Sequence, residues 1–403
     1  MITPLGKLGA SKMELENIQE QLKTSGIDGW LFYDHHNRDL LAYSILQLDT
    51  KQLTSRRWFY FIPTVGEPVK IVHKVESHRL DALPGTELFY SSWKELHISL
   101  SRALAGKRNV AMQYSPNNNI PQVSIVDGGT IELVRELGVN VVSSADLVQV
   151  FVARLDDEAI KSHIQAGELV QSIKNEAFNL ISLSLKTGET YSEHDIQQFI
   201  LRRFREEGLI SGRSLPMVSV GEHAANPHFE LDPANSSKIQ KGSTLMIDLW
   251  AKLDKPGAIF YDITWCAFLG DSPPDEYSKI FDIVVHARKL AKSLIVERFR
   301  QNVPLHGWEV DQVARDYIDQ QGFGPYFTHR TGHSIGTENH GFGVNIDNFE
   351  TKDDRTLIPG ICFSLEPGIY KKPFGVRSEI NILIDHHGNV LSFGEEQEKL
   401  LLL

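Results

Sequence analysis

The sequence predicts a two-domain protein of the α+β class, with a smaller α/β domain over residues 1–150 and a larger domain over residues 151–403. At 403 residues the chain is too long for one ordinary hydrophobic core. Helical and strand-like patterns alternate as far as residue 150, which is typical of an α/β domain. Beyond that point, long helical patterns lie between two strand-rich segments.

The first domain is predicted from short apolar runs that are separated by turn residues and amphipathic stretches. Residues 11–24 have the periodicity of an amphipathic helix, and residues 129–137 favour another helix. Residues 26–33 indicate a turn followed by a buried strand. Further strands are predicted in three apolar runs, over 58–63, 69–73 and 110–114.

The second domain begins with a long helical pattern over residues 156–185, whose acidic first turn complements the helix dipole. A helix is predicted next over residues 192–207, where Ser192 and Asp195 are placed to cap the first turn. Two later helices and two strand-rich segments are predicted over 276–300, 308–320, 360–370 and 375–385. The helices therefore lie between two sets of strands.

The composition is typical of a soluble globular protein, with 41% apolar and 23% charged residues. The net charge of -11 argues against nucleic acid or an anionic membrane as the main partner. Cys266 and Cys362 each lie in an apolar run and are predicted to be buried core residues without a disulfide. No window approaches the roughly 20 apolar residues of a membrane span, and the N-terminus lacks an apolar segment after its first charge. We therefore expect a cytoplasmic protein.

Two aspartates in apolar, strand-like runs are the first sign of a metal site. Asp248 lies in Thr-Leu-Met-Ile-Asp-Leu-Trp and Asp262 in Ile-Phe-Tyr-Asp-Ile-Thr. Burial of a carboxylate in such a run is unfavourable unless another group neutralises it. A Lys-Pro-Gly turn between them predicts a hairpin that brings both carboxylates together, and a dication would relieve their repulsion. For either residue alone, an ion pair or a solvent-facing strand end is the simpler explanation.

A second carboxylate pair and a histidine follow in the last part of the chain. Glu366 and Glu379 lie in apolar runs with a turn between them, which predicts a second hairpin. An Arg377–Glu379 ion pair is the alternative, since the two side chains would share a strand face. His333 lies in Thr-Gly-His-Ser-Ile-Gly, and imidazole is a common ligand of transition metals. His329 is interpreted as a histidine of a surface loop.

Four carboxylates and one imidazole together predict the ligands of two divalent ions: Asp248, Asp262, His333, Glu366 and Glu379. Hard oxygen ligands dominate, which favours Mn²⁺, with Co²⁺, Zn²⁺ or Fe²⁺ as alternatives. Such a pair of ions can hold an attacking hydroxide and polarise a carbonyl at the same time. The residues therefore predict a hydrolase.

Residues 156–403 resemble the pita-bread metallopeptidases of peptidase family M24, which include Xaa-Pro aminopeptidase, prolidase and creatinase. The preceding part is similar to the smaller N-terminal domain of these proteins. The resemblance implies a C-terminal pita-bread fold and a creatinase-type N-terminal domain. It also implies that Asp248 binds one metal and that Asp262 and Glu379 bridge both ions. His333 and Glu366 would complete the coordination of the second ion.

Further catalytic roles follow from the same resemblance. Glu366 is similar to the residue that takes a proton from the bridging water and passes it to the leaving amine. His228 matches a histidine that faces the substrate, and His340 matches one that hydrogen-bonds the scissile carbonyl or its tetrahedral intermediate. The Pro-His-Phe context favours His228 over the nearby His223. Thr264 matches a threonine two residues after the bridging aspartate.

The chain departs from the family pattern near the predicted metals. The two aspartates are further apart than usual, which fits a longer hairpin loop. Five residues differ from those of the pattern. Trp265 and Cys266 replace an Arg-Thr pair, Gly341 and Gly343 replace a glutamate and a proline, and Ile380 replaces an aspartate. None of these changes removes a metal ligand. Together they predict an altered wall around the metals, which leaves the substrate open.

The leading prediction is a metal-dependent peptidase that hydrolyses Xaa-Pro bonds at peptide N-termini, either as an aminopeptidase or as a dipeptidase. Its substrate would be a short peptide with proline at the second position. The departures near the metals favour, as an alternative, a creatinase-like or lyase-type enzyme on a small non-peptide substrate. A non-catalytic binding module is a remote alternative, since all five ligands are retained. The resemblance also implies a homodimer.

Overall fold

The chain divides between Val152 and Ala153 into two units, as shown by a computed structural model that describes residues 12–403. Among the described residues, no helix is both long enough and apolar enough to cross a membrane.

The first unit is built on a six-stranded mixed sheet. Its elements are, in chain order, α1 (Lys12–Thr24), β1 (Gly29–Asp34), α2 (Leu40–Ile45), β2 (Trp58–Pro63), β3 (Val69–His73), β4 (Thr86–Tyr90), α3 (Trp93–Ala103), β5 (Asn109–Met112), α4 (Gly128–Glu136), β6 (Asn140–Ser143) and α5 (Ala145–Val148). The strand order is β4-β3-β2-β1-β5-β6, and β1 pairs antiparallel with β2 and parallel with β5. Every residue of β1 and β2 is buried, as the apolar runs predicted. The α/β character of this part is confirmed.

The second unit contains two larger sheets, a two-stranded ribbon and four long helices. Its elements are α6 (Asp157–Thr187), α7 (Glu193–Glu206), β7 (Leu209–Ile210), β8 (Met217–Val220), β9 (Thr244–Leu253), β10 (Tyr261–Phe268), α8 (Asp275–Arg300), α9 (Gly307–Gln320), β11 (Ser334–Ile335), β12 (Ile361–Leu365), β13 (Gly368–Lys371), β14 (Phe374–Arg377), β15 (Ile380–Ile384), β16 (Val390–Leu391) and β17 (Leu401–Leu402). One sheet has the order β17-β10-β9-β7, with β8 also on β9, and the other has the order β11-β12-β15-β16. Strands β13 and β14 form the ribbon. The predicted cap of α7 is present, with Ser192 and Asp195 forming a capping box.

The predicted hairpin of the two aspartates is confirmed by β9 and β10, which are antiparallel neighbours. Asp248 lies opposite Thr264 in this ladder, and Asp262 lies opposite Trp250. Successive side chains of a strand point to opposite faces. The odd-numbered apolar residues of β9, such as Ile247, pack in the core formed with α6 and α7. Both carboxylates therefore emerge on the other face, away from those two helices.

The second predicted hairpin is also present, but its ladder is interrupted at the two glutamates. Strand β12 pairs with β15 on one side of the break, and β13 pairs with β14 on the other. Both ladders share one register, so Glu366 and Glu379 occupy facing positions between them. Their backbone N–H groups bond to other segments, to Thr331 O at 2.7 Å and to Thr264 O at 3.4 Å respectively. The two strands predicted here are therefore each split at a glutamate.

The two sheets are joined next to Asp262 by a side chain of β15. Asn381 Oδ1 accepts from the backbone N of Asp262 at 2.9 Å, and its Nδ2 donates to Asp262 O at 2.7 Å. Helices α8 and α9 pack in a core that includes residues of both sheets. Cys266 and Cys362 are buried and free, as predicted.

Candidate metal centre

An open cleft in the second unit brings together all the site residues that were predicted. Its volume is about 490 Å³. Its lining includes the five predicted ligands and both predicted substrate-facing histidines, namely Asp248, Asp262, His333, Glu366, Glu379, His228 and His340. The hairpin of β9 and β10 and the interrupted hairpin formed by β12 to β15 supply the carboxylates. The segment around β11 supplies the imidazole.

The tightest cluster of potential ligands consists of Asp262, His333 and Glu379. All three are buried, and one ligand atom from each lies within 4.8 Å of the others. His333 Nδ1 donates to Ser334 O at 3.2 Å, which leaves a lone pair on Nε2. This nitrogen lies 3.7 Å from Asp262 Oδ2 and 3.3 Å from Glu366 Oε1. The imidazole is therefore oriented as a metal ligand would be, with its proton directed to the backbone.

Three carboxylate oxygens in this cleft are buried without a hydrogen-bond partner among the described residues. They are Asp248 Oδ1, Asp262 Oδ1 and Glu379 Oε1. A buried acceptor without a donor lowers stability, so native structures contain few of them. A divalent cation satisfies such oxygens without any donor, and carboxylates with a neutral imidazole suit Mn²⁺-like ions. The residues present therefore fit the divalent metals that were predicted.

The electrostatics of the cluster also favour a cation. Burial, followed by the charges of neighbouring carboxylates, raises the pKa of Asp262 and of Glu379 well above their usual values. Burial also raises the pKa of Asp248, although the charge of Arg377 acts in the opposite direction. Burial, aided by a nearby arginine, lowers the pKa of His333 to about 3, so its imidazole is neutral at physiological pH. Deprotonated carboxylates and neutral imidazole are the forms that bind metals.

Arg377 is a buried cation at the edge of this acidic cluster. Its Nη2 forms an ion pair with Asp248 Oδ2. Its Nε donates to Thr264 Oγ1 at 3.0 Å, and that hydroxyl donates to Glu379 Oε2 at 2.8 Å. Asp248 is thus the closer ion-pair partner of Arg377, whose Nε also lies 3.9 Å from Glu366 Oε2. The contact with Glu379 runs through Thr264.

A serine of β12 fixes the positions of the histidine and of the first glutamate. Ser364 Oγ accepts from the backbone N of His333 at 2.9 Å and donates to Glu366 Oε1 at 3.1 Å. Gly332 permits this close approach, because a Cβ there would lie 2.0 Å from Ser364 O. The glycine of the Thr-Gly-His stretch is therefore required for packing of the histidine segment against β12.

The structure separates His228 from its neighbour His223. His228 is exposed and lines the cleft. His223 is paired with Glu193, with Nδ1 2.8 Å from Oε1, and its ring stacks on Phe229 at 4.3 Å. His340 also lines the cleft, with its ring 4.3 Å from that of His333. Of the two histidines near residue 225, His228 is the one that lines the cleft.

His329 lies in a loop, as predicted, but the prediction that it lies at the surface is wrong. His329 is partly buried and lines the cleft. Its Nδ1 donates to Arg330 O at 2.6 Å, and Tyr370 OH donates to its Nε2 at 2.7 Å. Burial lowers the pKa of this imidazole to about 3. Local sequence misses this environment, because the tyrosine lies 41 residues further along the chain.

The expectation that residues departing from the family pattern alter the wall of the site is also wrong, because none of them lines the cleft. Trp265 lies on the helix-facing side of β10, with Lys174 Nζ 3.4 Å from its ring centroid. A Cβ at Gly341 would lie 2.9 Å from Ser334 Oγ, and one at Gly343 would lie 2.7 Å from it. The two glycines therefore permit close packing of the chain after β11.

Two polar residues in the cleft were not marked by any sequence pattern. Asn339 donates from Nδ2 to Asp262 Oδ2 at 2.8 Å, and its buried Oδ1 has no hydrogen-bond partner in the described part of the chain. Arg330 is partly buried, and its guanidinium has no ion pair or hydrogen bond within residues 12–403. Only the folding of the segment around β11 against the hairpins brings them to the site.

Comparison with known proteins agrees with this description. The profile of "Metallopeptidase family M24" matches residues 162–386. An uncharacterized peptidase of Staphylococcus haemolyticus is 32% identical over 209 residues, which are 51% of this chain and 53% of that protein. The chain thus matches about half the length of this curated relative.

Solved structures match almost the whole chain. A recombinant prolidase from Thermococcus sibiricus has a TM-score of 0.60 at 22% identity, with 100% of both chains covered. An X-prolyl aminopeptidase from Caenorhabditis elegans, described as a cytosolic enzyme with a di-nuclear active site, has a TM-score of 0.60 at 17% identity. That match covers 97% of this chain and 63% of the other. The predicted fold, a pita-bread domain preceded by a creatinase-type domain, is confirmed.

Proposed function

Because the chain belongs to metallopeptidase family M24, we propose that it is a metal-dependent peptidase that cleaves Xaa-Pro dipeptides. The observation that carries the proposal is a set of three buried carboxylate oxygens around a neutral imidazole, none of which has a hydrogen-bond partner among residues 12–403. The substrate class is supported by the fold, which it shares with prolidase and X-prolyl aminopeptidase structures.

Two divalent ions would be held by the carboxylates and the imidazole of the cleft: Asp248, Asp262, His333, Glu366 and Glu379. When bound, the ions supply an activated water and polarise the scissile carbonyl. Manganese is the favoured metal, because oxygen ligands dominate the set.

The protein's own residues then move protons and hold the substrate. Glu366 is the proton carrier, since its side chain is 14% exposed toward the cleft and Ser364 orients Oε1. It accepts a proton from the attacking water and returns it to the proline nitrogen, which needs a proton to leave because it carries none in the peptide. His228 and His340 donate hydrogen bonds to the carbonyl oxygen as negative charge develops on it.

A dipeptide is favoured over a longer peptide because of Arg330. Its guanidinium has no ion pair or hydrogen bond among residues 12–403, and Arg330 lines the same cleft as His333 and His340. The C-terminal carboxylate of a dipeptide lies only one residue, about 3.8 Å of chain, beyond the scissile bond. Arginine is the side chain best suited to bind a carboxylate with two parallel hydrogen bonds.

The substitution Arg330→Ala is expected to lower kcat/KM for an Xaa-Pro dipeptide by roughly 10- to 100-fold, the loss typical of a charged hydrogen bond. The same change should leave cleavage of the dipeptide C-terminal amide almost unaffected, because the amide has no carboxylate to bind. Steady-state kinetics on the two substrates measure the difference. Arg213→Ala is the matched control, since Arg213 is an exposed arginine of the same cleft. Equal losses on acid and amide would show that Arg330 does not bind the carboxylate.

The alternative of a small non-peptide substrate loses its main support, because the residues that motivated it lie outside the cleft lining. A binding module without catalysis conflicts with the retained ligands and predicts no stoichiometric metal. The cytoplasmic location and the homodimer stay predictions.

The proposed function is tested by adding Mn²⁺, Co²⁺ and Zn²⁺ in turn to chelator-treated protein. We expect metal-dependent cleavage of alanyl-proline and little cleavage of an Xaa-Pro tripeptide. Cleavage of the tripeptide alone would indicate an aminopeptidase. Failure to cleave either peptide, in protein that has taken up metal, would contradict an Xaa-Pro peptidase and favour the small-molecule alternative.

A further inference from the structure

Asn339 combines two features that neither the metal ligands nor the predicted catalytic residues explain. It precedes His340 in the segment after β11, and its Nδ2 donates to Asp262 Oδ2 at 2.8 Å. Its Oδ1 is buried and has no hydrogen-bond partner among residues 12–403. The segment is held on either side of it, since Gly336 N donates to Glu338 O at 3.1 Å and Gly341 N donates to Ser334 O at 2.7 Å.

The contact with Asp262 fixes the orientation of the amide. An ionised carboxylate only accepts hydrogen bonds, so the NH₂ group of Asn339 must face it. The carbonyl oxygen is then left on the other side of the amide, and Asn339 is one of the residues that line the cleft. A buried acceptor of this kind favours a ligand that brings an N–H or O–H group.

An Xaa-Pro dipeptide has only one backbone donor to offer. Its scissile nitrogen belongs to proline and carries no hydrogen. Its C-terminal carboxylate is an acceptor at neutral pH. The remaining backbone donor is the α-amine of the first residue, which is attached to the carbon next to the scissile carbonyl and so must lie close to the metal ligands.

We infer that Asn339 Oδ1 accepts a hydrogen bond from the free α-amine of the substrate, and that Asn339 thereby selects peptides with an unblocked N-terminus. This inference rests on the proposed function. It assigns a specificity role to a residue that contacts a predicted metal ligand through one end of its amide and the substrate through the other.

The inference is tested with alanyl-proline and propionyl-proline, which differ only in the α-amine. In the Mn²⁺-loaded enzyme, Asn339→Ala is expected to lower kcat/KM for alanyl-proline by roughly 10-fold or more, and to change kcat/KM for propionyl-proline by less than about 3-fold. The preference for the free amine should shrink accordingly. Glu338→Ala, at the exposed neighbouring position of the same segment, should leave both values unchanged.

A purely positioning role for Asn339 predicts a different pattern. It would weaken metal binding, measured by competition with a chelator, and would lower kcat/KM equally for both substrates. That result would overturn the inference while leaving the proposed function intact. If the metal-loaded wild-type protein cleaves neither compound, the proposed function fails and the inference falls with it. The two failures are therefore distinguished by the activity of the wild-type protein.

Discussion

Replacing Asp262 by asparagine is expected to abolish turnover and, in the metal-free protein, to increase the free energy of unfolding. Turnover should fall by roughly 10³-fold or more, because the activated water depends on the ions that this carboxylate would hold. The stability gain follows from the raised pKa of Asp262, which burial and the neighbouring acids produce. An acid whose pKa is raised by folding lowers stability at every pH above its unfolded pKa. At pH 8 the substitution should therefore raise the free energy of unfolding of the metal-free protein.

Kinetics in saturating Mn²⁺ and urea unfolding of chelator-treated protein measure the two effects separately. The stability gain should be largest at pH 8 and should vanish below about pH 3, where the acid is protonated in both the folded and the unfolded state. Asp254→Asn is the matched control, because Asp254 is exposed in the turn of the same hairpin. Full activity of the metal-saturated Asp262→Asn protein would contradict the metal assignment.

Loss of the buried arginine is expected to have the largest effect on stability. Arg377→Met should lower the free energy of unfolding of the metal-free protein by about 3–5 kcal/mol at pH 8, as is typical when one partner of a buried ion pair is removed. The change leaves the Asp248 carboxylate without its cation and removes the hydrogen bond to Thr264. At lower pH the loss should be smaller, because Asp248 then takes up a proton and no longer needs a cation.

Urea unfolding at pH 6 and pH 8, with and without Mn²⁺, provides the measurement. Bound metal should recover part of the lost stability, since a dication also compensates the carboxylates. Arg203→Met is the control, because Arg203 pairs with glutamates at the surface and its loss should cost less than about 1 kcal/mol. Equal effects of the two substitutions would show that the buried arginine does not neutralise the cluster.

The residues of the proposed metal centre were predictable because their signals are local. An acid inside an apolar run is unfavourable wherever it occurs, and a turn between two such runs predicts that the acids meet. Asp248 and Asp262 therefore marked one hairpin, and Glu366 and Glu379 marked the other. The ladder of β9 and β10 and the shared register of the four later strands place both pairs in one cleft.

The sequence by itself determined the two-domain α+β class, the two hairpins and the five potential ligands. Only the tertiary structure decided what surrounds them: the ion pairs of Arg377 and the positions of His329, Arg330 and Asn339 in the cleft. Within residues 12–403 it also leaves the Arg330 guanidinium and the Asn339 Oδ1 atom without a partner. The physical reason is the range of the interactions. Strand period and turn chemistry act over a few residues, whereas the contact of Asn339 with Asp262 joins positions 77 residues apart. Such contacts exist only after the segment around β11 packs against the hairpins, and no local pattern records them.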